Sequence, residues 1–336
     1  MSVSSKRLLL THVPQARQQY YGARALARLQ ELVDVVLHQG DTPLTPQGLI
    51  DAACDVDYII ADRATAVPAE VFAALPKLQV VMRSAIDIRN IDVVAASRAG
   101  VLVTHAEAGF VKSVVELTVG FLVDLSRGMS RATADYHAGR RPEIKVGRQL
   151  AGSTAGIIGY GRIARDLAPV LTQLGMTVLV SDPYAQVDDR RFLKLPVDEL
   201  LAKADYVICL AIANEETENL VNADAFARMK PDAFFINMSR GNLVDEAALA
   251  KVLAEGRIAG AAMDVGRAPD QMPSPELARL PNVIATPHIG GLTPPASESQ
   301  AFDTVRQVEE LVAGKVPTGA VNAGNWARRD LKRPSG

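Results

Sequence analysis

The chain of 336 residues is 48% hydrophobic and 22% charged, a composition typical of a globular protein with a sizeable core. Its formal net charge of −2 provides no overall field for nucleic acid or a membrane surface, so both classes of partner are disfavoured. Two cysteines, Cys54 and Cys209, give neither a disulfide framework nor metal-ligand spacing, which predicts no metal site and a reducing, cytoplasmic location.

Short apolar runs alternate with segments of helical period from the N-terminus onward. The first apolar run is too short for a signal peptide, and no run reaches membrane-spanning length. The first series of predicted strands is KRLLLTHV, DVVLH, YIIAD, LQVVMRS and GVLVTHA, and the helical segments between them include ARQQYYGARALARLQEL and TPQGLIDAAC. Such alternation predicts an α/β fold in which parallel sheets are covered by helices on both faces.

A long and mostly apolar helix is predicted at about 111–130, between the first series of strands and a second one. The second series of predicted strands is STAGIIGYG, TVLVSDP, DYVICLA, AFFINMS, IAGAAMDV and VIATPHI. A final helix at about 295–313 follows the second series, so it could return to cover the first domain and make that domain discontinuous.

The strand TAGIIG leads into the turn Gly159-Tyr160-Gly161-Arg162-Ile163-Ala164, which has the G-x-G-x-x-A pattern of a dinucleotide-binding turn. Gly159 permits the tight turn, and Gly161 lets the backbone approach a pyrophosphate at the start of the next helix. Asp182 ends the next strand, 21 residues after Gly161, where a carboxylate accepts the ribose hydroxyls of NAD and repels the 2′-phosphate of NADP. The predicted cofactor is therefore NAD, held by Gly159, Gly161, Arg162, Ile163 and Asp182.

The sequence resembles the D-isomer-specific 2-hydroxyacid dehydrogenases over nearly all of its length, in the segment that contains this turn and in four later segments. The segments, in family-like order and spacing, are GIIGYGRIARDLA, VSDPY, MKPDAFFINMSRGNLVDEAAL, AAMDV and LPNVIATPHIGG. The resemblance implies two doubly wound parallel-sheet domains, a Rossmann cofactor domain inserted into a flavodoxin-like substrate domain. Residues 1–101 and 290–336 would form the substrate-binding domain and residues 102–289 the NAD-binding domain, and the helix at 111–130 would contribute to a homodimer interface.

The resemblance also implies an activity, which is hydride transfer between nicotinamide C4 and the C2 atom of a 2-hydroxy or 2-keto acid. His288, in TPHIGG, matches the residue that supplies or removes the hydroxyl proton. Arg240, in NMSRG, matches the arginine that binds the substrate carboxylate and polarises the carbonyl. Asp264, in MDV, matches the residue that holds the nicotinamide amide. Without the resemblance, His288 could be a turn residue and Arg240 a surface ion-pair partner.

One departure from the family pattern lies just before His288. The family has a glutamate five residues after the Asp of the Asp-Val pair, where it orients and charges the histidine. Here Pro269 occupies that position, and Gly266 and Arg267 replace the usual Phe-Glu. Asp270, one residue further along the chain, is a candidate for a substituting carboxylate, and Asp87 is another.

A second departure lies where the family has a Gly-x-Gly backbone nest for the substrate carboxylate. Ala85, Ile86 and Asp87 occupy these positions. Either they contact the substrate, together with Arg240, or the loop takes another shape in which Asp87 pairs with Arg83 or Arg89.

Two classes of function remain open from the sequence. The first is a working NAD-dependent dehydrogenase of a 2-hydroxy or 2-keto acid, and its substrate could carry a second anionic group. The basic residues that could bind such a group, or could be merely exposed charges, are Arg63, Arg83, Arg89 and Lys112. The second class is a catalytically weak NAD(H)-binding sensor or scaffold. Retention of Arg240 and His288 favours the enzyme, whereas loss of the glutamate favours the binder.

Overall fold

A computed structural model describes residues 6–329, except for the side chain of Asp270. The strands are β1 Arg7–Leu10, β2 Asp34–Leu37, β3 Tyr58–Ala61, β4 Val80–Arg83, β5 Leu102–His105, β6 Thr154–Ile158, β7 Thr177–Ser181, β8 Phe192–Lys194, β9 Tyr206–Cys209, β10 Phe234–Asn237, β11 Gly260–Met263 and β12 Val283–Ala285. The helices are α1 Pro14–Tyr20, α2 Ala23–Leu32, α3 Pro46–Ala52, α4 Ala69–Ala74, α5 Val93–Ala99, α6 Val111–Arg127, α7 Met129–His137, α8 Arg162–Gln173, α9 Val197–Lys203, α10 Ala223–Arg228, α11 Glu246–Ala254, α12 Pro275–Ala278 and α13 Pro294–Val312.

The chain forms two compact units. Unit 1 contains the residues up to Gly109 and those from Pro294 onward, and unit 2 runs from Phe110 to Thr293. These divisions lie eight and four residues beyond the predicted boundaries of 101 and 289.

Unit 1 is built on a five-stranded parallel sheet in the order β2-β1-β3-β4-β5. The strands β3 and β4 are buried along their whole length, as expected for a parallel sheet that is covered on both faces. Helices α3, α4 and α5 supply apolar side chains to one core. Helices α2 and α13 supply them to the other core, so the final helix packs onto the sheet formed by the first hundred residues.

Unit 2 is built on a seven-stranded parallel sheet in the order β12-β11-β10-β9-β6-β7-β8. Helices α6 and α8 contribute to one core, and helices α9, α10 and α11 contribute to the other. The sheet order reverses at β6, whose neighbours are β7 and β9, and ligands of doubly wound sheets bind beyond the carboxyl ends of strands at such a point. The predicted class, α/β with two doubly wound parallel sheets, is confirmed.

Three details of the predicted elements were wrong. The helical segment at 16–32 is two helices, because Gly22 has a left-handed φ of 86° that interrupts it. The helix predicted at 111–130 ends at Arg127, since Gly128 adopts a left-handed conformation at its C-cap. The short strand β8 was not predicted, because only Phe192 of its three residues is buried.

Among residues 6–329, none of the helices is both long and apolar enough to cross a membrane. The described side chains also include no group of three or more His, Cys, Asp or Glu residues that could hold a metal ion.

Candidate active site of unit 2

The glycine-rich turn follows β6 and begins α8, as the sequence predicts. Gly159 has a φ of 92°, and a Cβ atom there would lie 2.6 Å from the backbone of Ala211, so a glycine is required on two grounds. A Cβ at Gly161, in contrast, would meet nothing within 4 Å. Ala164 is fully buried against the core, with Ile163 packed beside it. The turn thus leaves an open approach to the backbone at the N-terminus of a 12-residue helix.

Asp182 lies directly after β7, beside this turn. Its Oδ2 accepts a 2.7 Å hydrogen bond from the backbone N–H of Tyr160, and its Oδ1 accepts 2.8 Å bonds from the N–H groups of Tyr184 and Ala185. Burial alone would raise the pKa of Asp182, but these three donors together hold it below its ordinary value. The side chain is therefore a fixed carboxylate at the position where the sequence predicts contact with ribose.

The three residues implied in catalysis follow three adjacent strands of the sheet. Asp264 comes directly after β11, whereas Arg240 and His288 each come three residues after their strands, β10 and β12. Because the strands are parallel, all three residues lie at the same edge of unit 2, the carboxyl edge. Predicted residues that are far apart in the chain are thus brought to one side of one sheet.

Asp264 is joined directly to the segment that carries His288. Its Oδ1 accepts hydrogen bonds from the hydroxyl of Thr286 at 2.6 Å and from the backbone N–H of Ile289 at 2.8 Å. Its Oδ2 accepts a 2.7 Å bond from the N–H of Gly290, and the Asp264 side chain is almost fully buried. The sequence did not predict this anchoring, which fixes the backbone on both sides of His288. A contact with the nicotinamide amide stays a prediction.

His288 itself has a left-handed backbone, with a φ of 55°. Few residues other than glycine adopt this conformation, and it costs of order 1–3 kcal/mol when the surroundings impose it. Here the Asp264 bonds and a 2.9 Å bond from the His288 N–H to the Thr286 carbonyl hold it in place. The turn therefore holds His288 in a backbone conformation that a relaxed chain would not favour.

Arg240 lies between β10 and a short 3₁₀ turn at Gly241–Leu243. Its carbonyl accepts a 3.0 Å hydrogen bond from the amide of Asn237, and its Nη1 donates a 2.7 Å bond to the carbonyl of Ser239. The hydroxyl of Ser239 in turn donates to the carbonyl of Ala211 at 2.6 Å. These hydrogen bonds restrain both the backbone and the guanidinium group of Arg240.

The segment after Asp264, where the family pattern breaks, is held by Arg267. Its Nη2 donates to Oε1 of Glu218 at 2.8 Å and to Oδ1 of Asn219 at 2.6 Å, and its Nε donates to the carbonyl of Val244 at 3.1 Å. Its backbone N–H donates to Oε1 of Glu246 at 2.8 Å. Arg267 therefore fastens this segment to the one that follows Arg240, a role that the sequence did not reveal.

Two glycines allow these segments to approach each other. A Cβ on Gly241 would overlap the backbone of Gly266, and a Cβ on Gly266 would lie 2.5 Å from Cα of Pro273. Pro269 begins a short 3₁₀ turn that ends at Gln271, and the side chain of Asp270 lies outside the described part of the chain.

The loop at Ala85–Asp87 belongs to unit 1. Asp87 forms an ion pair with Arg89 at 2.6 Å, one of the two pairings expected if the loop takes a shape of its own. Ile86 is 40% exposed, and the carbonyl of Ala85 accepts a 3.1 Å bond from Ala106 N–H. Substrate contacts of these three residues stay a prediction. Arg89 is exposed, as are Arg63 and Lys112, but Arg83 is only 6% exposed, so it is not a surface charge.

Comparison with known proteins places unit 2 in a family. Residues 119–290 match the sequence profile of the D-isomer specific 2-hydroxyacid dehydrogenase, NAD binding domain. The D-3-phosphoglycerate dehydrogenase of Mycobacterium tuberculosis is 35% identical over 281 residues, which cover 82% of this chain and 53% of that protein. The enzyme of the same name from Methanocaldococcus jannaschii is 32% identical over 313 residues, 91% of this chain and 59% of that protein. The chain thus spans little more than half the length of these curated relatives.

Solved structures show the same fold. A protein from Thermus thermophilus superimposes with a TM-score of 0.83 at 28% identity, covering 94% of this chain and 99% of the other. A structure from Polaromonas, described as a putative D-isomer specific 2-hydroxyacid dehydrogenase, gives a TM-score of 0.85 at 24% identity, covering 95% of this chain and all of the other. The predicted family and the predicted cofactor, NAD, are confirmed. The chain belongs to the D-isomer specific 2-hydroxyacid dehydrogenase family.

Proposed function

We propose that the chain is an NAD-dependent oxidoreductase that interconverts a D-2-hydroxy acid and the corresponding 2-keto acid. One observation carries the proposal. Arg240, Asp264 and His288 follow three adjacent parallel strands at one edge, and Asp264 holds the backbone around His288 through three hydrogen bonds.

The residues of the glycine turn fit the proposed cofactor. Gly161 leaves its backbone open beside the N-terminus of α8, which suits a diphosphate, and Asp182 offers fixed carboxylate oxygens for ribose hydroxyls. Arg162 and Ile163 form the first turn of that helix. The oxidised cofactor, NAD⁺, would accept a hydride at nicotinamide C4 there, and the reduced form, NADH, would supply one.

Arg240 would bind the substrate. Its planar guanidinium can hold a carboxylate by two parallel hydrogen bonds, and its positive charge stabilises the charge that develops on the carbonyl oxygen. The bond from its Nη1 to Ser239 restricts the side chain and so reduces the entropy lost on binding.

His288 would move the proton. In reduction, its imidazolium donates a proton to the oxygen on C2, and in oxidation the neutral imidazole removes the hydroxyl proton. The anchored backbone restrains the segment that carries His288 in both directions of the reaction, and general acid–base catalysis depends on such positioning.

Unit 1 is proposed as the substrate-binding domain, with Ala85, Ile86 and Asp87 as candidate substrate contacts, and unit 2 as the NAD-binding domain. The similarity to D-3-phosphoglycerate dehydrogenases supports a small hydroxy acid as substrate. We also propose a homodimer. After α6, the chain carries apolar side chains that are half or more exposed, as at an interface, on Met129, Tyr136, Ile144 and Val146. A cytoplasmic location stays a proposal, and the thiols of both cysteines, which are unpaired, suit it.

A second candidate function is an NAD(H)-binding sensor or scaffold with little catalysis. The observation that favours it is the segment after Asp264, where Pro269 stands at the family glutamate's position and Arg267 bonds to structural partners.

One experiment separates the two functions. Binding of NADH is measured by calorimetry, and NADH oxidation is followed at its absorbance band with a panel of 2-keto acids that includes glyoxylate, hydroxypyruvate and phenylpyruvate. Binding with turnover of at least one acid supports the enzyme, whereas binding without any turnover supports the sensor. Absence of NADH binding would contradict both.

A further inference from the structure

Unit 1 contains a cavity of about 270 Å³ at the amino edge of its sheet, the edge at which its strands begin. Lys6 and Gln79 directly precede β1 and β4, and Tyr58 is the first residue of β3. The other lining residues come from the end of α13 and from the chain that follows it, and they are Leu311, Gly314, Trp326 and Arg329. We call this space the amino-edge cavity. Nothing in the proposed hydride transfer uses it.

The wall that the C-terminal segment adds to the amino-edge cavity is fixed by hydrogen bonds. The indole Nε1 of Trp326 donates a 3.1 Å bond to the carbonyl of Gln79. Nη1 of Arg328 donates to the carbonyls of Leu75 at 2.7 Å and Leu78 at 3.1 Å. The chain after α13 is thus fastened beside the start of β4. Because the cavity is already formed, a ligand would lose little free energy to ordering of the protein.

The amino-edge cavity carries a net positive charge. Nζ of Lys6 donates to Oδ1 of Asp57 at 3.1 Å and to Oε1 of Gln79 at 3.0 Å, so one carboxylate balances this cation. Nη2 of Arg329 donates to the carbonyl of Gly314. Arg329 forms no ion pair with any residue between 6 and 329. It is exposed and therefore lies where the cavity opens, as a guanidinium whose charge no described group neutralises.

The hydroxyl of Tyr58 is a hydrogen-bonding group without a partner. Tyr58 is only 3% exposed, and its hydroxyl makes no hydrogen bond to any residue that the structure describes. Buried tyrosine hydroxyls usually have a partner. Since Tyr58 lines the amino-edge cavity, an acceptor inside the cavity would satisfy it. The buried Tyr58 and the exposed Arg329 lie at different depths, so they offer donors to opposite ends of one ligand.

The remaining lining of the amino-edge cavity is aromatic and aliphatic. Nζ of Lys6 is 5.9 Å from the centre of the Tyr58 ring, and Cζ of Arg329 is 5.5 Å from the centre of the Trp326 ring. Leu311, which is 7% exposed, adds aliphatic surface. Apolar walls with a few placed polar groups are typical of sites for organic ligands, because water gains little from such walls. The lining therefore suits a flat, apolar body with acceptors at its ends.

We propose that the amino-edge cavity binds a small aromatic carboxylic acid. Its carboxylate accepts hydrogen bonds from Arg329 at the opening, its ring packs beside Trp326, and an acceptor at its far end receives the proton of Tyr58. A cavity of about 150 Å³ holds benzene, so one of 270 Å³ holds a ligand of about ten non-hydrogen atoms. This site goes beyond the proposed hydride transfer and does not depend on it.

The first test is titration of the full chain with para-hydroxybenzoate, an acid of the expected size and shape. Trp326 is the only tryptophan of the chain, so its fluorescence reports directly from the cavity wall. The fluorescence should change saturably, with a Kd of about 1 mM or below. The amide para-hydroxybenzamide has the same shape without the charge and should bind about tenfold more weakly or worse. Absence of a saturable change, or equal binding of the amide, overturns the proposal.

The second test removes the cation at the opening. Arg329→Gln should weaken para-hydroxybenzoate binding about tenfold, because the charged hydrogen bonds to the carboxylate are lost. Arg24→Gln is the matched control, since Arg24 is also an exposed arginine of unit 1 above an aromatic ring, that of Phe302, but does not line the cavity. It should bind the acid as the unaltered protein does, and the melting temperature of both variants should be unchanged. Equal weakening in both variants, or full affinity in Arg329→Gln, contradicts the proposal.

The third test concerns the inner end of the amino-edge cavity. The unaltered protein should bind para-hydroxybenzoate several-fold more tightly than benzoate, because only the former offers an acceptor to Tyr58. Tyr58→Phe, which removes one oxygen atom, should bind the two acids equally. If Tyr58→Phe keeps the preference, the proposed orientation of the ligand is wrong.

A final control separates this site from the proposed active site. Arg240→Lys should give the same fluorescence titration with para-hydroxybenzoate as the unaltered protein, because Arg240 belongs to unit 2. Loss of the response in Arg240→Lys would assign the acid to the proposed substrate site and overturn the proposal. None of these titrations requires turnover. Failure of the proposed dehydrogenase activity would therefore leave them standing, and their failure would leave that activity untouched.

Discussion

The carboxylate of Asp264 accepts a 2.7 Å hydrogen bond from the backbone N–H of Gly290, two residues after His288. Together with the bonds from Thr286 and Ile289, this contact ties the end of β11 to the turn that follows β12. The proposed acid–base residue is thus placed by a carboxylate that holds its main chain. This arrangement makes Asp264 a positioning residue whose effect on catalysis can be separated from its effect on stability.

Asp264→Asn should lower kcat by about 10²-fold, because the amide nitrogen would face a backbone N–H and the turn would move by a fraction of an ångström. KM for the keto acid should change much less. The measurement is steady-state kinetics alongside thermal denaturation. Asp205→Asn is the control, since Asp205 also accepts a 2.7 Å backbone bond, from Thr154, before β9 at the opposite edge of the sheet. A comparable loss of kcat in both variants would show that Asp264 acts through stability alone.

Substitution of the two proposed reacting side chains should affect different parameters. His288→Gln should reduce kcat by about 10²- to 10⁴-fold, the usual contribution of general acid–base catalysis, while NADH affinity stays unchanged. Arg240→Lys keeps the charge but loses the planar fork, so KM for the keto acid should rise more than kcat falls. Initial-rate kinetics and NADH titration measure these quantities. Full activity of His288→Gln would exclude it as the proton carrier.

The glycine turn offers a pair of substitutions with opposite outcomes. Gly159→Ala should destabilise the fold by a few kcal/mol, because its φ of 92° disfavours a side chain and the Cβ would press on the Ala211 backbone. Gly161→Ala should leave the melting temperature nearly unchanged, since the added Cβ meets no protein atom, yet it should weaken NADH binding by obstructing the diphosphate. Calorimetric melting and NADH titration of both variants test this. Normal NADH binding by Gly161→Ala would place the cofactor elsewhere.

The buried imidazole of His12 should make the free energy of unfolding decrease in mild acid. Burial lowers the pKa of His12 to about 4, an effect that the charge of Asp62 opposes and the charges of Arg83 and Arg17 reinforce. The free side chain titrates near 6.5. Between these values the unfolded chain binds a proton that the native state does not, so stability falls as pH decreases from about 6.5 to 4, by about 3 kcal/mol at most. Above 6.5 the group contributes no pH dependence.

The free energy of unfolding in urea at pH 7, 5.5 and 4.5 measures this effect. In His12→Asn the decrease over that interval should shrink by the contribution of His12, while the decrease due to other groups remains. Identical pH dependence in the variant and the unaltered protein would mean that His12 is protonated in the native state at mild acidity.

The sequence predicted the fold well because the strands of a doubly covered parallel sheet are continuous apolar runs. All eleven predicted strands occur, since runs such as YIIA and VVMR are buried on both faces. The missed strand β8 lies at a sheet edge and exposes Leu193 and Lys194, so no apolar run marks it. The break at Gly22 was missed because a single glycine is tolerated in many helices, and only the structure shows its positive φ.

The sequence predicted which residues form the candidate site, but it did not predict the contacts between them. The motifs gave Arg240, Asp264 and His288, because each is adjacent to a strand end that a local pattern marks. The bonds from Asp264 to residues 286–290 and from Arg267 to residues 218–219 join segments more than twenty positions apart, so no local pattern carries them. The burial of Arg83 could not be predicted from the sequence either, because an arginine that ends an apolar strand can extend into solvent or fold back.

The close approach of Gly266 to Pro273 has a consequence for any attempt to restore the family pattern. A phenylalanine introduced at Gly266 would collide with main-chain atoms of Pro273 and with the Glu246 carboxylate, which lies 2.9 Å from where its Cβ would stand. A glutamate introduced at Pro269 alone would lie in the short 3₁₀ turn between Gly266 and Pro273, two residues that are in close contact. Introduction of phenylalanine at Gly266 alone is therefore blocked, and a chimera that exchanges the stretch from 265 to 273 together with Gly241 is the way to introduce it.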